Sequence, residues 1–222
     1  GPLLNASRDD VMCVSALSSE ASRRRQVPAI YRRATSSPGS APPVVMFIRH
    51  GEKPADDGPP HGVNVHGEHD PHGLSVRGWT RAGALAALFA NAPSGAHQGV
   101  VRPSRVMATE ASDEAKSRRE VDTARPTADR LGMPLEDGHS HGEEKEVAAE
   151  VLSKPDSTLI VWHHGTIATL VREFALVNAS DVPERWPEER FDLIWVLTRE
   201  PGSDLAYRFS VVPPGAAGRR PW

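Results

Sequence analysis

Arg49-His50-Gly51 and His163-His164-Gly165 lie far apart in the chain, yet each follows directly on an apolar run. An unprotonated imidazole can act as a nucleophile or a base, and guanidinium groups grip phosphoryl oxygens in pairs. A third cationic group stands at Ser117-Arg118-Arg119. Gathered in one crevice, Arg49, His50, His164 and an arginine from that cluster would form a compact cationic, hydrogen-bonding site. An imidazole set between guanidinium groups has a depressed pKa and keeps its lone pair at neutral pH. A histidine nucleophile beside a phosphate clamp is the chemistry these residue types suit.

Such a crevice exists only if secondary structure carries the distant residues to one place. Val44-Val45-Met46-Phe47-Ile48 and Thr158-Leu159-Ile160-Val161-Trp162 are continuous apolar runs rich in β-branched residues. Both read as strands buried on two faces, as in a parallel sheet. Ligands of open α/β sheets bind outside the carboxyl ends of the strands, so parallel strands would bring both histidine clusters to one edge. Gly51 and Gly165 would permit tight turns and close approach of backbone to ligand. Residues 53–73 read as a long loop. Ser75 can cap a helix on which Trp79, Ala82, Leu85, Ala86 and Phe89 recur at helical spacing, so Trp79 reads as a core residue. A short strand at 105–108, a helix over 118–131 closed by Gly132, a helix over 143–152 and a helix over 166–177 follow. Residues 191–198 and 205–212 read as two late strands joined by the Pro201-Gly202-Ser203-Asp204 turn in an antiparallel hairpin. The alternation predicts an α/β fold. Its expected form is a three-layer sandwich, a mostly parallel central sheet with helices on both faces.

The chain has 222 residues, enough for one α/β domain, which is expected over residues 43–222. Residues 1–42 are rich in Ser, Arg, Ala and Pro and show no periodicity, so they read as a disordered or loosely docked tail. Their basic clusters, Arg23-Arg24-Arg25 and Arg32-Arg33, admit a second reading as a polyanion-binding arm or targeting segment. A net charge of −3 leaves no global field for nucleic acid, so an anionic ligand must be held by a few local cations. The one cysteine, Cys13, cannot form an internal disulfide. Together with the absence of an apolar leader run, it sets the expectation of a cytoplasmic protein. No apolar stretch approaches the length of a membrane span, and no membrane partner is expected.

Four segments in order carry a family resemblance. Arg49-His50-Gly51-Glu52-Lys53 resembles the signature of the histidine phosphatase superfamily, also called phosphoglycerate mutase-like. Leu74-Ser75-Val76-Arg77-Gly78-Trp79-Thr80-Arg81-Ala82 is similar to the start of that family's first helix. Arg119-Glu120-Val121-Asp122-Thr123-Ala124 is similar to its second-arginine element, and Val161-Trp162-His163-His164-Gly165 to its second-histidine element. The resemblance spans residues 44–212. It implies a phosphatase in which His50 becomes a phosphohistidine while Arg49, Arg119 and His164 hold the phosphoryl oxygens. A carboxylic acid protonates the leaving oxygen and then activates water. No metal or other cofactor is implied, and the substrate is a small-molecule phosphate ester. Lys53 stands where one branch of the family carries a phosphate-contacting arginine. Arg118 competes with Arg119, and the spacing to Thr123 favours Arg119. His163 competes with His164; strand alternation would let only one enter the site, and adjacency to Gly165 favours His164.

The acid departs from the family pattern. One branch places Asp directly after the second histidine, where this chain has Gly165. The other uses a Glu between the second-arginine helix and the last histidine strand, where Glu136, Asp137, Glu143 and Glu144 lie. Glu143 is the choice because it follows a glycine-containing loop and opens a helix; Glu52, two residues from the nucleophile, is a further candidate. Three other functions stay in view. A phosphoglycerate-type mutase needs a second anionic clamp, and residues 125–156 hold few cations. A non-catalytic phospholigand-binding module would account for the missing acid. A metal-dependent hydrolase would use His61, His66, His69 and His72 with Glu68 and Asp70, at no established metal-site spacing. His139 and His141 sit in a similar loop context.

Overall fold

A computed structural model describes residues 41–94, 99–111 and 116–212. Cys13 and the two arginine clusters of the tail lie outside the described residues. The chain forms β1 (Val44–Ile48), β2 (Gly62–Val63), β3 (Leu74–Ser75), α1 (Val76–Asn91), β4 (Arg105–Thr109), α2 (Arg119–Leu131) and β5 (Leu135–His139). These are followed by α3 (Glu144–Leu152), β6 (Thr158–Val161), α4 (Ile167–Arg172), β7 (Ala175–Leu176), β8 (Ile194–Arg199) and β9 (Ala206–Val212).

Seven strands join in the order β5-β4-β6-β1-β8-β9-β7. Within this sheet β8 alone runs against the others, pairing antiparallel with both β1 and β9. β1 lies inside the sheet, and all five of its residues are buried. Its alternating side chains separate the two cores. Val44, Met46 and Ile48 pack with Phe89 of α1 and Val121, Ala124 and Ala128 of α2. Val45 and Phe47 pack with Val147 and Val151 of α3 and Ile167, Leu170 and Val171 of α4. The fold is therefore an α/β three-layer sandwich with a mostly parallel sheet. No helix among the described residues is long and apolar enough to cross a membrane.

Local signals hold where they are strongest. The Ser75 hydroxyl caps α1 by accepting from Gly78 N–H, and α2 ends on Gly132 in the left-handed conformation (φ 67°). The structure departs from the local pattern at several points. The helix expected over 166–177 stops at Arg172, because Ala175 and Leu176 pair with Ala206 and Tyr207 of β9. Long-range pairing there overrides local helical pattern. β5 has no apolar run, Leu135-Glu136-Asp137-Gly138-His139, and forms through backbone pairing at the sheet edge beside β4. Trp79 is half-buried, and its Nε1–H donates to the Val63 carbonyl at 2.9 Å, tying the long loop to α1. The packed chain also begins before Pro43: Ala41 is buried in the core, and the Pro42 carbonyl accepts from the Tyr207 hydroxyl at 2.8 Å.

Candidate active site

The carboxyl ends of β1, β4 and β6 share one edge of the sheet, as their parallel pairing requires. The loop leading into the reversed strand β8 reaches the same edge. There a crevice of about 700 Å³ is lined by Arg49, His50, Lys53, Arg119, His163 and His164, and also by Glu120, Glu188, Glu189 and Phe191. The structure thus assembles five of the six residues singled out from sequence: His50, Arg49, Arg119, His164 and Lys53.

His50 is held by its own turn. Its Nδ1 lies 2.6 Å from the Gly51 carbonyl oxygen. A carbonyl only accepts, so Nδ1 carries the proton and the lone pair resides on Nε2. The side chain is buried, and its pKa falls to about 3, first through burial and then through Arg49, His164 and Arg119. The imidazole is neutral at physiological pH, as the sequence implied, but burial outweighs the neighbouring arginines as the cause.

The turn is locked to two helices. Gly51 N–H donates to Thr123 Oγ1 at 2.8 Å, and that hydroxyl donates to the Arg119 carbonyl at 2.6 Å. The four-residue spacing between Arg119 and Thr123 thus ties the first turn of α2 to the His50–Gly51 turn. On the other side Gly51 abuts α1: a Cβ on Gly51 would lie 2.8 Å from the Gly78 carbonyl oxygen, and one on Gly78 would lie 2.5 Å from the Glu52 carbonyl oxygen. Ser75 N–H and hydroxyl both donate to that Glu52 carbonyl.

Arg49 is buried; its guanidinium carbon sits 3.9 Å from the centre of the Phe191 ring, and Nη1 donates to the Glu188 carbonyl. Arg119 donates from Nε to the Gly73 carbonyl and from Nη2 to the Pro71 carbonyl, both at 3.0 Å. Its rival Arg118 is exposed and does not line the crevice. The His50 and His164 rings meet edge to face with centroids 5.4 Å apart. Burial, then Arg49, lowers the His164 pKa to about 4.

His163 also lines the crevice, with its ring centroid 4.6 Å from that of His164, which corrects the expectation that only one of the pair could enter. β6 ends at Val161, and the chain from His163 on leaves the strand for a turn over 164–166, so strand alternation no longer applies. Among the described residues, Arg49 Nε, His163 Nδ1 and His164 Nδ1 are buried without a hydrogen-bond partner. These unmatched nitrogens gather where an anion would offer acceptors.

The carboxylates fall differently from the sequence reading. Glu143 does not line the crevice; it is exposed and accepts from Ser140 N–H at 2.7 Å. β5 extends to His139, so the segment before Glu143 is sheet and tight turn rather than a loop that could reach the site. Glu52 is clamped by Arg81, with hydrogen bonds of 2.7–3.0 Å, and by Arg77. Burial alone would raise its pKa, but these arginines outweigh it and keep Glu52 ionised. Glu136 pairs with Arg105, Asp137 faces Arg125 at 3.7 Å, and Glu144 accepts from Gly142 N–H and Trp162 Nε1–H. Glu120, by contrast, is buried and lines the crevice, and burial raises its pKa to about 7 against the pull of Arg119 and Arg49. In sequence it looks like an ordinary acidic residue in the first turn of a helix. Glu188, Glu189 and Phe191 left no signal of their own in the sequence. They reach the site only because β8 is reversed, so that its leading loop returns to this edge.

Of the loop histidines, His61 and His69 meet edge to face at 5.6 Å and line an adjoining pocket of about 490 Å³ that also includes Lys53 and Arg119. Among the described residues no three His, Cys, Asp or Glu side chains converge as a metal-ligand set.

No protein-family model matches the chain, and no curated protein matches it. Among solved structures it is similar to a mycobacterial glucosyl-3-phosphoglycerate phosphatase complexed with VO3, at 16% identity over 77% of this chain and 98% of that one, with a TM-score of 0.43. It is similar to mycobacterial hydrolase 1 at 18% identity over 79% and 100% of the two chains, with a TM-score of 0.43. It is also similar to a provisionally assigned phosphohistidine phosphatase SixA from Agrobacterium tumefaciens, at 14% identity over 80% and 97%, with a TM-score of 0.42.

Proposed function

We propose that this chain is a histidine phosphatase that hydrolyses a small-molecule phosphomonoester through a phosphohistidine on His50. The observation that carries the reading is the state of His50: a buried, neutral imidazole with Nδ1 held by the Gly51 carbonyl and Nε2 left as a nucleophile, in a crevice shared with Arg49, Arg119 and His164. Nε2 attacks phosphorus in line with the departing ester oxygen. Arg49 and Arg119 hold the phosphoryl oxygens, and His164 adds a further contact as charge spreads in the transition state. Lys53, exposed at the rim, draws the anion in. Water then releases inorganic phosphate and restores the imidazole.

The carboxylates favour a hydrolase over a mutase. Glu188 and Glu189 share the crevice with the cations, so a second phosphate on an acceptor would meet repulsion rather than a clamp.

Turnover of an aryl phosphate by the purified chain tests the reading. Activity should persist in a chelator, be blocked by vanadate, and fall by about 1,000-fold or more in His50→Ala, as expected for loss of a covalent nucleophile. Acid-labile radiolabel on His50 after a rapid quench would mark the intermediate. Full activity in His50→Ala refutes the mechanism, and activity abolished by chelator refutes the metal-independent reading.

A further inference from the structure

We propose that Glu120 is the proton-transfer residue of this site: its carboxyl protonates the ester oxygen as it leaves, and its carboxylate then takes a proton from the attacking water. The assignment rests on the phosphatase reading above. Glu120 follows Arg119 in the first turn of α2, the turn that Thr123 ties to the Gly51 amide. Its position relative to the nucleophile is therefore set by two hydrogen bonds. It is only 5% exposed, yet it lines the crevice together with His50, Arg49 and His164.

The other carboxyl groups near this edge are engaged elsewhere or open to solvent. Glu52, Glu136, Asp137, Glu143 and Glu144 accept hydrogen bonds or ion pairs away from the crevice. Glu188 and Glu189 line it but are exposed. Among the described residues neither Arg119 nor Arg49 forms a direct ion pair with Glu120. The charged groups acting on it are Arg119 and Asp122 on its own helix and Arg49 at the tip of β1; Glu188, Glu189 and Lys53 also line the crevice. Burial prevails over the two arginines and places its pKa at about 7, where one group can both give and take a proton.

The steps balance. In the first, the Nε2–phosphorus bond forms, the phosphorus–ester oxygen bond breaks, and the Glu120 proton passes to that oxygen, which departs as an alcohol. In the second, water oxygen bonds to phosphorus, the Nε2–phosphorus bond breaks, and the water proton returns to Glu120. Inorganic phosphate leaves, and both side chains regain their starting states.

The test compares wild type, Glu120→Gln and Glu120→Asp on two substrates: dinitrophenyl phosphate, whose leaving oxygen needs no proton, and an alkyl phosphate, whose leaving oxygen does. For Gln, kcat/KM on the alkyl ester should fall by about 100-fold or more, while on the dinitrophenyl ester it stays within about threefold. The fall in alkyl kcat/KM above about pH 7 should vanish in Gln and persist in Asp, which keeps a carboxyl group. Equal losses on both esters, undiminished alkyl turnover in Gln, or an alkaline limb unchanged in Gln would each overturn the assignment while leaving the phosphatase reading intact. Wild type inert on both esters, or His50→Ala as active as wild type, would defeat the phosphatase reading and this assignment with it.

Discussion

A histidine can serve as a nucleophile only when one ring nitrogen is free and unprotonated, which the other nitrogen's hydrogen bond and burial can secure. His50 has both, the hydrogen bond to the Gly51 carbonyl and the burial. Glu120 is perturbed in the opposite sense: its folded pKa, about 7, lies above the ordinary 4.5. Below both values the folded and unfolded states are equally protonated, and the group adds nothing. As pH rises between them the unfolded chain releases its proton while the buried carboxyl resists, so stability is lost. The shift corresponds to a cost on the order of 3 kcal/mol at pH 8. Glu120→Gln should therefore be more stable than wild type at pH 8 by up to about that amount, with the gain gone by pH 4. Urea melts at the two pH values measure this, and a gain of equal size at both would show that ionisation of the buried carboxyl is not its source.

Elements matter here for how closely they approach. α1 reaches the His50 turn because neither Gly51 nor Gly78 has a side chain, and Arg81 on the same helix draws Glu52 in. Alanine is the better helix former, so propensity alone says that Gly78→Ala in α1 should stabilise. Packing says the reverse, since the new Cβ would meet the Glu52 carbonyl oxygen at 2.5 Å, and backbone cannot yield cheaply. Gly78→Ala should cost about 1–3 kcal/mol in a thermal or denaturant melt and should lower turnover by shifting the His50 turn. A stabilised variant would mean that α1 can move away from the turn without penalty.

For the molecule as a whole, one reversed strand and one late strand decide what closes the structure. β8, antiparallel beside β1, returns the Glu188 to Phe191 segment to the crevice edge and sets Phe191 against Arg49. β9 then seats the beginning of the packed chain: the Tyr207 hydroxyl, buried and with its pKa raised by burial to about 12, donates to the Pro42 carbonyl. Tyr207→Phe leaves that carbonyl without its donor and should cost about 1–3 kcal/mol, with kcat/KM unchanged because the contact is remote from the crevice. The molecule should also be acid-labile. His50 and His164 have folded pKa values of about 3 and about 4, below the unfolded 6.5. Stability is complete above the unfolded value and is lost as pH falls from 6.5 toward 3, where the unfolded chain takes up protons that the folded state refuses. Melting temperature should drop through that window, and less steeply in His164→Gln; parallel slopes would assign the lability to other groups.

The sequence by itself determined the elements whose periodicity is strong and which residues stand at their tips. The apolar, β-branched runs of β1 and β6 read as buried strands, the Ser75 cap and the Gly132 terminus bound their helices, and Arg49, His50, Lys53, Arg119 and His164 were legible as a set. Tertiary structure alone decided what depends on contacts between distant segments. Backbone pairing made β5 from a polar stretch and took Leu176 out of helix. Chain reversal brought Phe191 under Arg49, and the end of β6 let His163 turn in beside His164. The carboxyl groups are the clearest case. Glu120 carries no signal in the sequence beyond that of a helix-start acid, and only burial, a property of the assembled crevice, raises its pKa to about 7 while Glu143 stays exposed.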